Sequence, residues 1–410
     1  MEPRRNAPCS LCKGSKNLCG KALCPLMVKF YSHLSIKSLI DTVELSGSSP
    51  PGVFVGRHGY PKVDVGPLVP PFYGDTTVLD TPENWVGKSI TEITDFRFKL
   101  VRGKFRTDVK EFQKAGKVVD YTRELAMTIN PLDVEIYFEK KPSGKIILDD
   151  EIQPFGPSGR VKKMDLSNPK YDRRMEKAYY DTDLSAVEAV LQLYKNGVLI
   201  SSIQKAFSMG CLGIEKSRKL VPTRWSITAV DDMIGKTLLS KNKTYPTINE
   251  FRVYDWEQLD NRWCVMLMPT SWRYELIEAW YPNTAWNPMG DQVAIISSHE
   301  FYEGRKEYAE IGGCYYAARL AVNELLSKEK RQAGAVIFRE AHPGYIMPVG
   351  VWNVRENVRQ ALKQKPFNYN TIEEALKHIS RRMDIPLEKW IKASAILRDF
   401  KHQRRMDDYA

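Results

Sequence analysis

Gly334-Ala335-Val336-Ile337-Phe338-Arg339 is a short, unbroken apolar run that ends on a charge. Its length and its Val and Ile content fit a buried strand. Residues 314–330 before it and 351–363 after it place apolar side chains at helical spacing. Further strand patterns lie at 250–256, 263–268 and 292–297, and further helical ones at 371–383 and 386–400. Towards the N-terminus, Val28 to Leu45 has helical spacing that Ser46-Gly47-Ser48-Ser49-Pro50-Pro51-Gly52 breaks. The Gly/Pro-rich stretch 53–71 alternates like short strands joined by tight turns. Segments 132–138 and 145–149 read as strands, 171–208 as helices interrupted near Gly197, and 225–240 as a helix entered from Pro222-Thr223-Arg224. Helices and strands in this irregular order predict an α+β (mixed α/β) fold rather than a regular doubly wound sheet. No repeat at a fixed period is present, which argues against solenoids and propellers.

A chain of 410 residues suggests two or three folded units. The expected layout is a four-cysteine zinc-finger segment over 1–30, an N-terminal α/β domain over 31–245 and a C-terminal α/β domain over 246–400 ending in helices. The last ten residues, 401–410, are charged, lack a core pattern and are expected to form a flexible tail. The soft boundary falls where Lys241–Tyr245 turns polar. With 43% hydrophobic and 27% charged residues the composition is that of a globular protein. The longest apolar run, Trp263 to Met268, is far below the ~20 residues that cross a bilayer. The N-terminus has cysteines and lysines in place of an apolar signal core. No membrane partner and a cytoplasmic setting with reduced thiols are therefore expected.

Four of the seven cysteines fall in one short stretch, Cys9-x2-Cys12-x6-Cys19-x4-Cys24. A CxxC turn sets two sulfurs on one ion, so the quartet points to a tetrahedral Zn²⁺ site, with an iron–sulfur cluster as the alternative occupant. The segment holds few large apolar side chains, so metal binding would supply its folding energy. Cys211, Cys264 and Cys314 sit in apolar surroundings and read as core residues.

The net charge of +11 is concentrated. Residues 1–40 carry seven basic side chains against Glu2, and residues 97–119 carry eight against Asp108 and Glu111, +6 in each case. Elsewhere the charges nearly cancel. Alternation through 97–106 reads as a half-buried strand whose cationic face, Arg97, Lys99, Arg102, Lys104 and Arg106, would neutralise DNA phosphates. A solvated sheet face is the plainer reading of the same pattern.

Several catalytic signatures are missing: there is no GxxxxGK[ST], no GxSxG and no GxGxxG after a strand. His299-Glu300-Phe301-Tyr302-Glu303 begins like HExxH but places Glu303 where the second zinc-binding histidine belongs. Three polar clusters remain as catalytic candidates. Arg57, His58, Tyr60 and Lys62 lie in a glycine-rich loop whose amides suit phosphate. Arg224, with Asp231 and Asp232, lies near a helix start. His299-Glu300 and Arg339-Glu340 lie where apolar strands end. Convergence of the three would make a phosphodiester- or nucleotide-processing pocket, with a carboxylate or His299 as general base. Separate structural ion pairs are the plainer expectation.

At the C-terminus, Gln403-Arg404-Arg405-Met406-Asp407-Asp408-Tyr409-Ala410 fits the sliding-clamp-interacting (PIP-like) pattern. In a 3₁₀ turn Met406 and Tyr409 project from one side as apolar anchors while Gln403 hydrogen-bonds nearby backbone. Ala410 replaces the usual second aromatic.

Taken together, these residues resemble the archaeal Nre family of DNA repair proteins. The resemblance runs over almost the whole chain. It is carried by the four cysteines, by Ser48-Ser49-Pro50-Pro51 with Val55-Gly56-Arg57-His58-Gly59-Tyr60-Pro61-Lys62, and by Pro222-Thr223-Arg224-Trp225-Ser226-Ile227-Thr228. Ser298-His299-Glu300-Phe301, Arg339-Glu340, Gly350-Val351-Trp352-Asn353-Val354-Arg355-Glu356 and the Gln403–Tyr409 motif complete it. The resemblance implies repair of damaged DNA, a zinc finger, and a tail that docks on the sliding clamp, proliferating cell nuclear antigen. The expected function is thus a DNA-binding repair factor recruited by the clamp and associated with the nucleoid while DNA is repaired. Two alternatives stay open: a nuclease or nucleotide-processing enzyme built on the polar clusters, and a repair scaffold without direct DNA contact. Nothing in the resemblance makes the chain an enzyme.

Overall fold

The computed structural model describes Cys12, Gly14, Lys16, Lys21 and residues 23–144, 154–288 and 290–402. The chain divides into two units, one from Cys24 to Ile234 and one from Gly235 onward, with which the described residues ahead of Cys24 are grouped. The divide falls inside a long helix, not in the polar stretch 241–245. Each unit is built on a six-stranded mixed sheet, and the described residues hold twelve α-helices, an α+β architecture. No helix among the described residues is long and apolar enough to cross a membrane.

The first unit runs α1 Pro25–Lys37, β1 Glu44–Ser49, β2 Val53–Val55, β3 Lys62–Val69, α2 Ile90–Phe98, β4 Val101–Asp108, α3 Lys117–Ala126, β5 Leu132–Phe138 and β6 Ser158–Leu166. Helices α4 Arg173–Tyr180, α5 Ala186–Lys195, α6 Ile200–Ser208 and α7 Thr223–Asn242 follow. Its sheet order is β1-β5-β6-β4-β3-β2, and only β4 and β6 run parallel. Capping boxes, in which a serine and a glutamate satisfy each other's orphan N–H groups, start α2 (Ser89/Glu92) and α5 (Ser185/Glu188).

The second unit runs β7 Phe251–Gln258, β8 Asn261–Met268, β9 Tyr274–Trp280, β10 Ala294–Glu300, α8 Gly313–Glu329, β11 Gly334–Ala341, α9 Trp352–Lys363, β12 Phe367–Tyr369, α10 Ile372–Arg382, α11 Leu387–Ala393 and α12 Ala395–His402. The order is β10-β9-β11-β8-β7-β12, with β9 and β11 parallel. Strands β9 and β11 are buried along their whole length because both faces are covered. Val265, Leu267 and Ile337 pack with Tyr315 and Val322 of α8 and Val354 and Val358 of α9. Cys264, Met266, Val336 and Phe338 pack on the opposite side with residues of α10, α11 and α12, such as Ile379, Trp390 and Leu397. The period of two along each strand sets this partition. Cys211 and Cys264 are buried and Cys314 packs against the first of these cores; burial pushes all three thiols up, Cys211 to about 12.

Several elements differ from the sequence reading. Helical spacing over 28–45 gives way to a helix that ends at Lys37, because Glu44–Ser49 pairs antiparallel with Leu132–Tyr137. The capping box at Ser89 carries α2 through Phe98, so Arg97 is helical, Lys99 is its C-cap, and the strand begins only at Val101. Residues 386–400 form two helices, broken at buried Ser394, whose Oγ accepts the Leu397 N–H at 2.9 Å. Helix α12 runs through His402, two residues into the expected tail. The strand expected at 145–149 lies outside the described residues.

Candidate nucleic-acid interface

The turn between β2 and β3 places Arg57, His58, Tyr60 and Lys62 in solvent. It closes with Gly56 N–H donating to Asp64 O at 2.7 Å and Tyr60 N–H donating to Arg57 O at 3.3 Å. Gly59 has φ +76°, and a Cβ there would meet Arg106 Nη2 at 2.2 Å, so only glycine lets the guanidinium lie against the turn. Arg106 Nη1 donates to His58 O at 3.3 Å and to Asp64 Oδ1 at 3.4 Å, which holds the turn on β4.

A second segment reaches the same place. Thr223, the first residue of α7, accepts the Val55 N–H on its Oγ1 at 2.8 Å. That bond seats the helix start beside β2 and leaves Arg224 and Trp225 exposed. Tyr60 and Trp225 pack together with ring centroids 5.2 Å apart and planes inclined at 56°. The first two polar clusters of the sequence therefore meet, through an aromatic contact and a backbone anchor. Asp231 of the second cluster does not join them in solvent: it is fully buried and accepts from Gln204 Nε2 at 3.0 Å, while Asp232 is half-buried.

Strand register extends the basic surface across the sheet. Lys62 faces Asp108, Asp64 faces Arg106, and Lys104 faces Arg160 of β6, so these side chains share one side with Arg102. The predicted five-cation strand is thereby corrected. Arg97 pairs with Asp80 at 2.5 Å and Lys99 with Asp95 at 2.6 Å, both off the strand. Arg102 lies 4.0 Å from the Phe155 ring centroid and 5.3 Å from that of Phe54. Burial, with Arg97 adding to it, pushes Arg102 down to about 9, and Asp80 opposes the shift. Lys104 is pushed down by burial and by Arg102 and Arg160, with Asp64 opposing. Arg57, Lys62, Lys104, Arg160 and Arg224 have no carboxylate partner among the described residues. Asp64 and Asp108 lie on the same face, yet the cations outnumber them, and such an excess of positive charge suits an anion.

The third cluster disperses within the other unit. Glu300 is buried and accepts from Trp272 Nε1 at 2.9 Å and Arg319 Nη1 at 3.0 Å. His299 lies edge-on to Phe301, and its carbonyl accepts from Arg305 at 2.7 Å. Arg339 donates to Asn261 Oδ1 at 2.9 Å and Glu278 Oε1 at 2.7 Å, with the Trp263 and Trp280 rings at 4.9 and 4.7 Å. Glu340, its neighbour along the strand, turns the other way and accepts the N–H groups of Asp384 and Ile385 at 3.1 and 2.8 Å. Glu340, His342 and Asp384 bring metal-ligand atoms within 4.8 Å of one another. Each carboxylate already has a protein donor, Arg262 in the case of Asp384, so the trio reads as a clasp on the 383–386 loop.

Two family profiles match the chain: the one described as Archaeal Nre, N-terminal, over residues 18–287, and the one described as Archaeal Nre, C-terminal, over residues 300–409. The chain belongs to the archaeal Nre family. It is 42% identical over 391 residues to DNA repair protein NreB of Archaeoglobus fulgidus, covering 95% of this chain and 97% of that protein. It is 40% identical over 377 residues to DNA repair protein NreA of the same organism, covering 92% and 94%. It is 34% identical over 352 residues to DNA repair protein NreA of Haloferax volcanii, covering 84% of each. No solved structure matches it significantly.

Within this Nre chain the other expected sites lie partly outside the described residues. Cys9 and Cys19 do so, whereas Cys12 is buried and Cys24 is the half-buried N-cap of α1. Gln403, Met406 and Tyr409 also lie outside. Sequence reasoning missed Arg160, whose place beside Lys104 depends on parallel pairing with β4, and it missed the union of Tyr60 with Trp225. The alternation of Ser158, Arg160 and Lys162 carried a weak signal for the former. Nothing local pointed to the latter.

Proposed function

We propose that this Nre protein acts in DNA repair by binding DNA on the basic side of its first unit. Phosphate contact falls to Lys62, Lys104 and Arg160 on the sheet and to Arg57 and Arg224 beside it. Arg102, half-buried against Phe155, and Arg106, held by Asp64, act mainly as supports. The observation that carries this reading is that Lys62, Lys104 and Arg160, none with an ion-pair partner among the described residues, share one face of the first unit's sheet in a chain whose relatives are named DNA repair proteins. The tail residues Gln403, Met406 and Tyr409 would dock the protein on the sliding clamp. Cys9, Cys12, Cys19 and Cys24 would hold a structural Zn²⁺, a reading supported by their spacing.

Phosphate neutralisation releases counterions, so DNA affinity should fall steeply with salt, on a straight line in log–log form. Full-length protein titrated into labelled DNA at several salt concentrations checks this. Arg57→Glu with Arg160→Glu should weaken binding at least tenfold; absent or salt-independent binding overturns the reading. For the tail, removal of residues 402–410 should abolish clamp binding by calorimetry, and unchanged affinity refutes it.

A further inference from the structure

The DNA surface proposed above carries two aromatic side chains that phosphate binding does not use. Tyr60 and Trp225 are each 46% exposed and contact one another. Large aromatic rings left in water beside unpaired cations mark an interaction site, because leaving them exposed costs burial energy. From this juxtaposition we propose that Tyr60 and Trp225 form a base-stacking step, and that the DNA bound is DNA with unpaired bases. The inference rests on the DNA-binding reading of this face and names its substrate class.

Duplex DNA hides the flat faces of its bases inside the stack and shows a protein only edges and phosphates. Unpaired bases expose π-faces that stack on Tyr or Trp irrespective of sequence. Such a platform needs rings held in place before the base arrives, and both rings here are so held. Tyr60 follows the left-handed Gly59, over which the Arg106 guanidinium lies. Trp225 stands in the first turn of α7, fixed by the Thr223 bond to Val55 and by Ser226 Oγ donating to Gln204 O at 3.0 Å. The two rings are tilted, not parallel, so their outer faces diverge and can each take a base. Arg57, Lys62 and Arg224 flank them as exposed cations without carboxylate partners among the described residues, the charge that a single strand's phosphates require. The occupant is thus an anionic polymer with bare base faces, which a paired duplex does not offer.

The test uses the full-length chain, a labelled oligothymidine and a blunt duplex of equal length. The parent should bind the single strand more tightly, and the preference should widen as salt rises, since stacking is less screened than phosphate contact. Trp225→Ala should weaken single-strand binding about tenfold and duplex binding less than twofold, at an unchanged salt slope. Tyr60→Ala should act in the same direction, and Trp225→Phe should retain most of the affinity. Thermal unfolding identifies any variant that fails to fold, in which case the Phe variant and Tyr60→Ala carry the test. Equal losses on both DNAs, or no loss on either, overturn the stacking step while leaving the phosphate surface standing. A parent that binds neither DNA overturns both.

Discussion

Basic side chains on the two sheets meet opposite fates. On β4 and β6, Lys104 and Arg160 face each other with no carboxylate partner among the described residues, and Arg102 presses on Lys104 from the same strand. On β11, Arg339 is buried, paired with Glu278 and clamped between two tryptophans. An arginine taken out of water needs a full set of partners, because a lone buried charge costs several kcal/mol. A lysine left crowded and unpartnered at a surface gains nothing for the fold. Arg339 is thus held inside the fold of the second unit, whereas Lys104 and Arg160 on the first sheet have no such ion-pair partner among the described residues.

The strongest way to break this contrast is to remove Arg339. Arg339→Met leaves Glu278 buried without its cation and should cost about 3–5 kcal/mol, read as an earlier urea midpoint of the second unit. Adding Glu278→Gln to that variant should recover part of the loss, because removing both charges is far less costly than removing one. A single variant as stable as the parent would show that the buried pair carries no such weight.

Lys104→Gln sharpens the other side. It relieves repulsion from Arg102 and Arg160, so stability should stay within about 0.5 kcal/mol of the parent or rise. DNA affinity should nevertheless fall several-fold, and the salt slope should drop by about 1. Parallel urea unfolding and salt titration measure both, and a destabilised variant with normal DNA affinity would reverse the assignment.

The sequence made the elements with strong local signals legible. The periodic runs over 132–138, 171–208, 225–240 and 263–268 and from 314 to 363 correspond to observed strands and helices within a few residues, and Gly197 with φ +77° separates α5 from α6. What escaped was decided by distant partners. Strand β9, Tyr274-Glu275-Leu276-Ile277-Glu278-Ala279-Trp280, hides its apolar pattern behind two glutamates. Glu275 caps α12, accepting the Ala395 and Ile396 N–H groups at 2.9 and 3.1 Å, and Glu278 holds Arg339. The charge run 97–106 read as one face on its alternation alone, and the helix started by the capping box at Ser89 takes its first residues off the strand. At the candidate site the loop cations were visible one by one. Their union with Trp225 depends on a bond between residues 55 and 223 that no window along the chain spans.

The smallest expected effect lies at the surface of the second unit, where the contrast predicts that even an exposed acid is tied to the fold. Glu310 accepts from Ser298 Oγ at 2.7 Å and from Arg305 Nη2 at 2.9 Å. The Ser298 hydroxyl foremost, then a backbone N–H and Arg305, holds its carboxyl down from 4.5 to about 2. A folded-state pKa below the unfolded one means that the unfolded chain binds the proton more readily. The contribution is therefore complete above about pH 4.5 and disappears as pH falls towards 2. Glu310→Gln should unfold slightly earlier than the parent at neutral pH, and the difference should vanish in acid. The side chain is 59% exposed, so solvent screening keeps the effect small. Urea midpoints at pH 7 and pH 3 measure it. A difference that persists undiminished at pH 3 would mean that the glutamine acts through lost packing, not lost charge.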